Sequence, residues 1–142
     1  MKSKTLAAWL ALVGGPVGLH RFYLHGWRDR LGWLLPWPTL AGVVGVLRAR
    51  QFGPDDRISW VLAPLLGFSI AAAAMVTLVY GLMDAPKWNA RYNPTLDPSG
   101  RAGRSNGLTV LALVCAMAIG TTALMSALAY TFQHLFEYQA LA

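Results

Sequence analysis

The stretch Gly14-Gly15-Pro16-Val17-Gly18-Leu19-His20-Arg21-Phe22-Tyr23-Leu24 decides how this chain is read. It lies between two short apolar runs in a strongly hydrophobic sequence. Glycine and proline loosen the end of a helix. A basic, aromatic cluster then arrives where that helix should leave the lipid, and such residues favour the headgroup zone. The pattern predicts a small multi-span membrane protein built around a tight helical hairpin. Neither this stretch nor the rest of the sequence carries the signature of a biochemical activity.

Composition agrees. Of 142 residues, 56% are hydrophobic and 13% charged, where a soluble domain carries about 25% charged residues. The deficit is concentrated in four intervals that lack Asp, Glu, Lys and Arg: Thr5–His20, Leu31–Leu47, Ile58–Met83 and Ser105–Phe136. A helix rises about 1.5 Å per residue and the hydrocarbon core is about 30 Å thick. The third and fourth intervals, of 26 and 32 residues, are long enough to span with tilt. The first two, of 16 and 17 residues, are slightly short. Their flanks carry Tyr23, Trp27 and arginines, which extend a span by snorkelling to the headgroups. The expectation is therefore an all-α polytopic membrane protein with four transmembrane helices arranged as two hairpins, residues 2–50 and 58–136, with a polar loop at 84–106.

Met1-Lys2-Ser3-Lys4 and the run after it have the look of a signal peptide. The run ends in Gly-Gly-Pro-Val-Gly-Leu-His-Arg-Phe, without the small-residue cleavage site such a peptide needs. It is expected to be a retained first span. The net charge of +6 sits at span ends and in short loops, where anionic headgroups attract it, so membrane lipids rather than nucleic acid are the expected partners. Cys115 lies mid-span as a small apolar residue, and one cysteine forms no internal disulfide.

Along the chain, Pro36 and Pro38 predict a kink in the first turns of the second helix. Gly53-Pro54-Asp55-Asp56 is a turn signal, with Asp55 or Asp56 placed to cap the third helix. The fourth helix is expected from about Gly107 to Phe132, followed by a frayed tail. With four spans, Lys2, Lys4, Arg48, Arg50 and Arg57 share one side. Arg21, Arg28, Arg30, Lys87, Arg91, Arg101 and Arg104 share the other. The positive-inside rule then puts the His20–Arg30 linker in the cytoplasm by a narrow margin.

Lys2-x-Lys4 before an apolar helix, then Gly15-x-x-Gly18-x-His20-Arg21-Phe22-Tyr23-Leu24, resembles the TM-two domain, a two-transmembrane-helix domain of many bacterial and some animal membrane proteins. The resemblance covers residues 2–50. It departs from the family pattern at His25, where relatives carry the glycine that here comes one place later as Gly26. It departs again at Val46-Leu47-Arg48-Ala49-Arg50, where relatives usually carry an Ile-Asp pair. The resemblance implies a helical hairpin in an integral membrane protein, of a bacterial inner (cytoplasmic) membrane, and no particular reaction.

The residues themselves point the same way. Gly14 and Gly18 have the small-xxx-small spacing that lets helices approach closely. Arg21 is permanently charged and must meet water, lipid phosphate or a carboxylate. Phe22, Tyr23 and Trp27 suit the headgroup zone, and an aromatic ring there can stack on Arg21. Gly14, Gly18, His20, Arg21, Phe22, Tyr23 and Trp27 are thus the candidate recognition or hairpin motif, with anchoring of the hairpin favoured over recognition of a headgroup or partner because interfacial aromatics and arginines are common in membrane proteins. His20 and His25 are poorly spaced for one helical face, and no pattern completes a metal site. His134 and Glu137 share a face near the end of the chain; such a pair can relay protons, but at a frayed end it is more often a solvated contact. No phosphate loop, nucleophile elbow or triad is present, so neither enzymatic activity nor a cofactor is expected. The expected role is a structural or accessory subunit that binds lipid or other membrane proteins, or self-associates. The alternative is a small oligomeric transporter or channel subunit, against which stands the absence of ionisable residues mid-span.

Overall fold

One long apolar helix, Arg57–Leu82, forms the axis on which the rest of the chain packs. In the computed structural model, which describes residues 2–95, 97 and 99–141, the chain is helical and has no strand among those residues. The elements are α1 (Lys4–Gly14), a 3-10 turn (Gly15–Val17), α2 (Leu19–His25), α3 (Arg30–Leu34), α4 (Pro36–Phe52), α5 (Arg57–Leu82), α6 (Ala85–Tyr92), a second 3-10 turn (Arg101–Gly103) and α7 (Gly107–Leu141).

Small residues set the packing of α4, α5 and α7. A side chain at Gly42 would collide with the backbone of Leu66, and one at Gly45 with Leu62 and Ala63. Gly67 sits against Ala123 and Ala127, Gly120 against Ala74, and Gly81 against Leu113. These pairs run in opposite directions along the chain, so α4 and α7 each lie antiparallel to α5. Apolar side chains remain exposed along these helices, among them Val61, Met75 and Val79 on α5 and Met117 and Met125 on α7. A helix surface of that kind is at home in lipid rather than water.

Three helical segments are long and apolar enough to cross a membrane: Arg30–Phe52, Arg57–Leu82 and Arg101–Leu141. The first of these is interrupted at Leu35, where Pro36 opens α4, at the place the prolines predict a kink. The apolar helix Lys4–Val17 is shorter, so the expected count of four is not reached. α1 has 11 residues and rises about 16 Å, half of a bilayer core.

The reason is a reversal inside the first apolar interval. The chain was expected to turn at His20–Arg30, but it turns at Gly15–Gly18. Gly18 takes φ 83°, a left-handed conformation that costs other residues about 1–2 kcal/mol. α2 then runs back beside α1: the Tyr23 hydroxyl accepts from the Ser3 amide at 2.9 Å, and the Lys2 ammonium donates to the Leu24 carbonyl. Lys2–Lys4 consequently lie beside the 84–106 segment and not beside loop 53–56. Lys4 Nζ donates to the Met83 carbonyl at 2.8 Å and to Ser105 Oγ at 2.6 Å. Trp88 Nε1 donates to the Lys2 carbonyl at 2.9 Å. The grouping of chain ends expected from four spans is therefore replaced.

The polar segment after α5 also contains more structure than its turn formers suggest. α6 places Trp88 fully buried in one core cluster with Ala7, Ala8, Ala11, Leu24, Ala112 and Tyr80, its ring meeting the edge of Tyr80. α7 continues helical through the expected tail, and Trp60 stacks on His134 there, with ring centroids 4.6 Å apart.

The glycine contacts predict a difference between two substitutions. Gly42→Ala drives α4 off α5 and should cost about 1–3 kcal/mol. Gly107→Ala has open space and should leave stability unchanged. Thermal unfolding of both variants in mild detergent is the check.

Candidate functional site

The hairpin brings part of the candidate motif to one place. α2 is only 7 residues long, and its first turn follows directly on Gly18. That start points His20 inward, where it is 3% exposed, with its ring 6.0 Å from that of Tyr80 in an edge arrangement. His20 Nδ1 is buried and has no hydrogen-bond partner among the described residues. A buried polar atom left without a partner is uncommon and marks a place to look for a ligand.

His20 and Arg21 line a cavity of about 510 Å³. Gly15 and Pro16, at the hairpin tip, close one wall, and Leu34 and Pro38 form the second. The third is a face of α5 running from Leu65 through Phe68, Ser69, Ala72 and Ala73 to Val76. Leu31, Leu34 and Phe68 are themselves exposed, so the opening is framed by apolar side chains. The volume falls within the range of small-molecule sites, about 300–1,000 Å³.

Arg21 finds the carboxylate that its charge demands. Nε donates to Asp29 Oδ2 at 2.5 Å and Nη2 to Oδ1 at 3.3 Å, a fork geometry that lysine does not reproduce. The hydrogen bond from Arg21 holds the Asp29 carboxyl below its ordinary range. A second pair of the same form, Arg48 with Asp56 at 2.9 and 3.1 Å, closes the opposite end, and there too the arginine lowers the carboxyl. Asp56 thus occupies the N-cap position of α5 while its side chain serves Arg48.

The other motif residues take different places. Gly14 faces the Leu19 side chain within the hairpin, and Gly18 lies against the backbone of Gly32. Phe22 stacks on Trp27 at 5.2 Å and meets the edge of Trp33 at 5.1 Å, so its partners are aromatic rather than Arg21. Trp27 is 73% exposed. Tyr23 pins the start of α1 through Ser3. Among the described residues no group of three His, Cys, Asp or Glu is placed to hold a metal ion. His134 and Glu137 approach to 3.4 Å at the far end of the chain, away from this cavity; His134 is 8% exposed between Trp60 and Tyr130, so the solvated contact expected there is instead half covered by aromatic rings.

The sequence reading missed Asp29 as the partner of Arg21. A signal existed: Asp29 is the sole acid between Arg21 and Arg30. It also missed the α5 wall, which no local pattern announces. Comparison with protein-family models, curated proteins and solved structures finds no match to the chain.

The Arg21–Asp29 pair gives a pH prediction. A folded carboxyl held low contributes stability that is present above its unfolded value, about 3.9, and is lost as pH falls through the folded value. Asp29→Asn should lower the melting temperature between pH 5 and 8, and the gap to wild type should narrow below about pH 4. Arg21→Lys keeps the charge but loses the fork and should fall between the two in a melting series at pH 7.

Proposed function

We propose that this chain is a non-catalytic integral membrane protein that crosses the bilayer three times and dips one helical hairpin into it. The crossings are Arg30–Phe52, α5 and α7, and the hairpin is α1–α2. The observation that carries this reading is the return of α2 alongside α1, which gives the first apolar interval no second side to reach. Four crossings would need Lys2 and Met83 at opposite membrane faces.

Charge supports an orientation. Lys2, Lys4, Arg21, Arg28, Arg30, Lys87, Arg91, Arg101 and Arg104 gather at one end, with Asp29, Asp84 and Asp97. Arg48, Arg50 and Arg57 at the other end are matched by Asp55, Asp56 and Glu137. All of the net charge of +6 thus belongs to the first end, which the positive-inside rule assigns to the cytoplasm. The narrow margin of a four-span count becomes nine against three.

The role that fits is an accessory subunit, binding lipid or a membrane-protein partner through the hairpin and its cavity. The apolar cavity with a few convergent polar groups supports a binding role, as ligand sites commonly have that character. Kinship with the TM-two domain, and with it a bacterial inner membrane, is proposed on the His20–Leu24 motif alone.

Single cysteines in a Cys115→Ala background test the arrangement. Cysteines replacing Lys2 and Ser99 should label from the cytoplasmic side, and those replacing Asp55 and Gln139 from the outside of intact cells. Labelling of the Lys2 and Asp55 positions from one common side would restore four crossings and end this proposal.

A further inference from the structure

We infer that the cavity between the hairpin and α3–α5 holds one acyl chain of an anionic glycerophospholipid, with its phosphate near Arg21 and its ester near His20. The inference rests on the membrane arrangement proposed above and adds a ligand class to it.

Depth carries the argument. Leu82 ends α5 at the basic face, and the cavity wall on α5 runs from Val76 to Leu65. At 1.5 Å per residue this wall begins about 9 Å below that end and continues for about 16 Å toward the bilayer centre and beyond. Polar groups occur at its shallow end. Arg21 lies nearest the surface, since α2 climbs from Gly18 toward His25. His20 lies one residue deeper, 3% exposed, with Nδ1 unpartnered among the described residues. Below them the lining is apolar apart from Ser69. Cation, hydrogen-bonding group and hydrocarbon wall follow in the order of phosphate, ester and acyl chain. Arg21 uses two donors on Asp29, and a guanidinium has five. Asp29 balances the charge of Arg21 itself, and the preference for an anionic headgroup comes from the face on which the mouth opens, which carries nine Lys and Arg against three Asp.

The cavity, at about 510 Å³, has room for one chain, and the exposed apolar rim of Leu31, Leu34 and Phe68 lets it enter sideways from the bilayer.

The test uses the full chain in phosphatidylcholine nanodiscs. Phosphatidylglycerol and phosphatidylcholine probes carry the same photoactivatable acyl chain, and crosslinked peptides are located by mass spectrometry. The expected result is labelling on the α3–α4 and α5 walls, stronger for phosphatidylglycerol by about fivefold, the worth of one cation near a lipid surface. Ala72→Trp fills the cavity from an exposed position on α5 and should abolish that labelling with an unchanged melting curve. Met117→Trp, on the exposed face of α7, should not affect it. His20→Gln keeps a hydrogen-bonding group and should retain labelling that His20→Leu loses.

Equal labelling by the two probes would overturn the anionic assignment. Labelling spread over α7, or unaffected by Ala72→Trp, would overturn the site. A protein crosslinked in place of lipid would make the cavity a docking surface for a partner instead. Diffuse labelling alongside the expected cysteine topology would remove this site alone, whereas a failed topology removes the bilayer frame itself.

Discussion

A backbone carbonyl or amide left unpaired in hydrocarbon costs several kcal/mol, and in the arrangement proposed above that penalty governs how this chain can reverse direction inside a membrane. The turn at Gly15–Gly18 meets the demand internally and through its neighbours. The Gly18 amide donates to the Gly15 carbonyl at 2.9 Å. The Gly18 carbonyl accepts from the Arg21 and Phe22 amides at 3.1 and 3.2 Å. The Pro16 carbonyl accepts from Thr39 Oγ1 on α4 at 2.7 Å. Irregular backbone at membrane depth is tolerated only where protein covers it, so the tip must be packed. This accounts for the small residues around it: Gly15 rests on Ala73, and Gly18 on Gly32, with no room for a side chain between them.

The hairpin's open end is held by a second set of bonds. The Lys2 main chain is clamped by Asn93, which accepts from the amide at 2.8 Å and donates to the carbonyl at 3.0 Å. Lys4 is 2% exposed, and a buried ammonium is tolerated only with partners, here Met83 and Ser105. The aromatic cluster of Tyr80, Trp88 and Tyr92 covers the same end, with Trp88 and Tyr92 centroids 4.4 Å apart. Pinning Lys2–Lys4 there gathers the basic residues at one face. Local hydrogen bonds therefore determine the charge asymmetry, which in turn bears on membrane orientation.

Much of the helical framework was legible in the sequence. The limits of α5 lie within a residue of the charge-free interval Ile58–Met83, because uninterrupted apolar character over that length leaves few alternatives. The prolines announced the break at Leu35. The reversal was not legible, because Thr5–His20 is as apolar as a span and hydropathy does not register a positive φ at Gly18. Its short length and the Gly15-Pro16 pair were the available hints. Within the site, His20 and Arg21 stood out by chemistry, since a histidine and an arginine beside an apolar run need explaining. The opposite wall did not, because Ala72 and Ala73 are two of four successive alanines, Ala71–Ala74. Only the packing of α5 against the hairpin tip gives them a role.

The hairpin's path is most directly measured by a disulfide between Thr5→Cys and Thr109→Cys in a Cys115→Ala background, formed by mild oxidation in native membranes. The two hydroxyls lie 2.7 Å apart, at the start of α1 and the start of α7. A hairpin that returns to its own side brings these positions together, and rapid, nearly complete intramolecular crosslinking is the predicted result. A first helix that crossed to the opposite face would separate them by about the thickness of the hydrocarbon core, roughly 30 Å, far beyond the reach of a disulfide. Absence of that crosslink, with ready crosslinking of Thr5→Cys to Ser59→Cys at the start of α5, would contradict the hairpin.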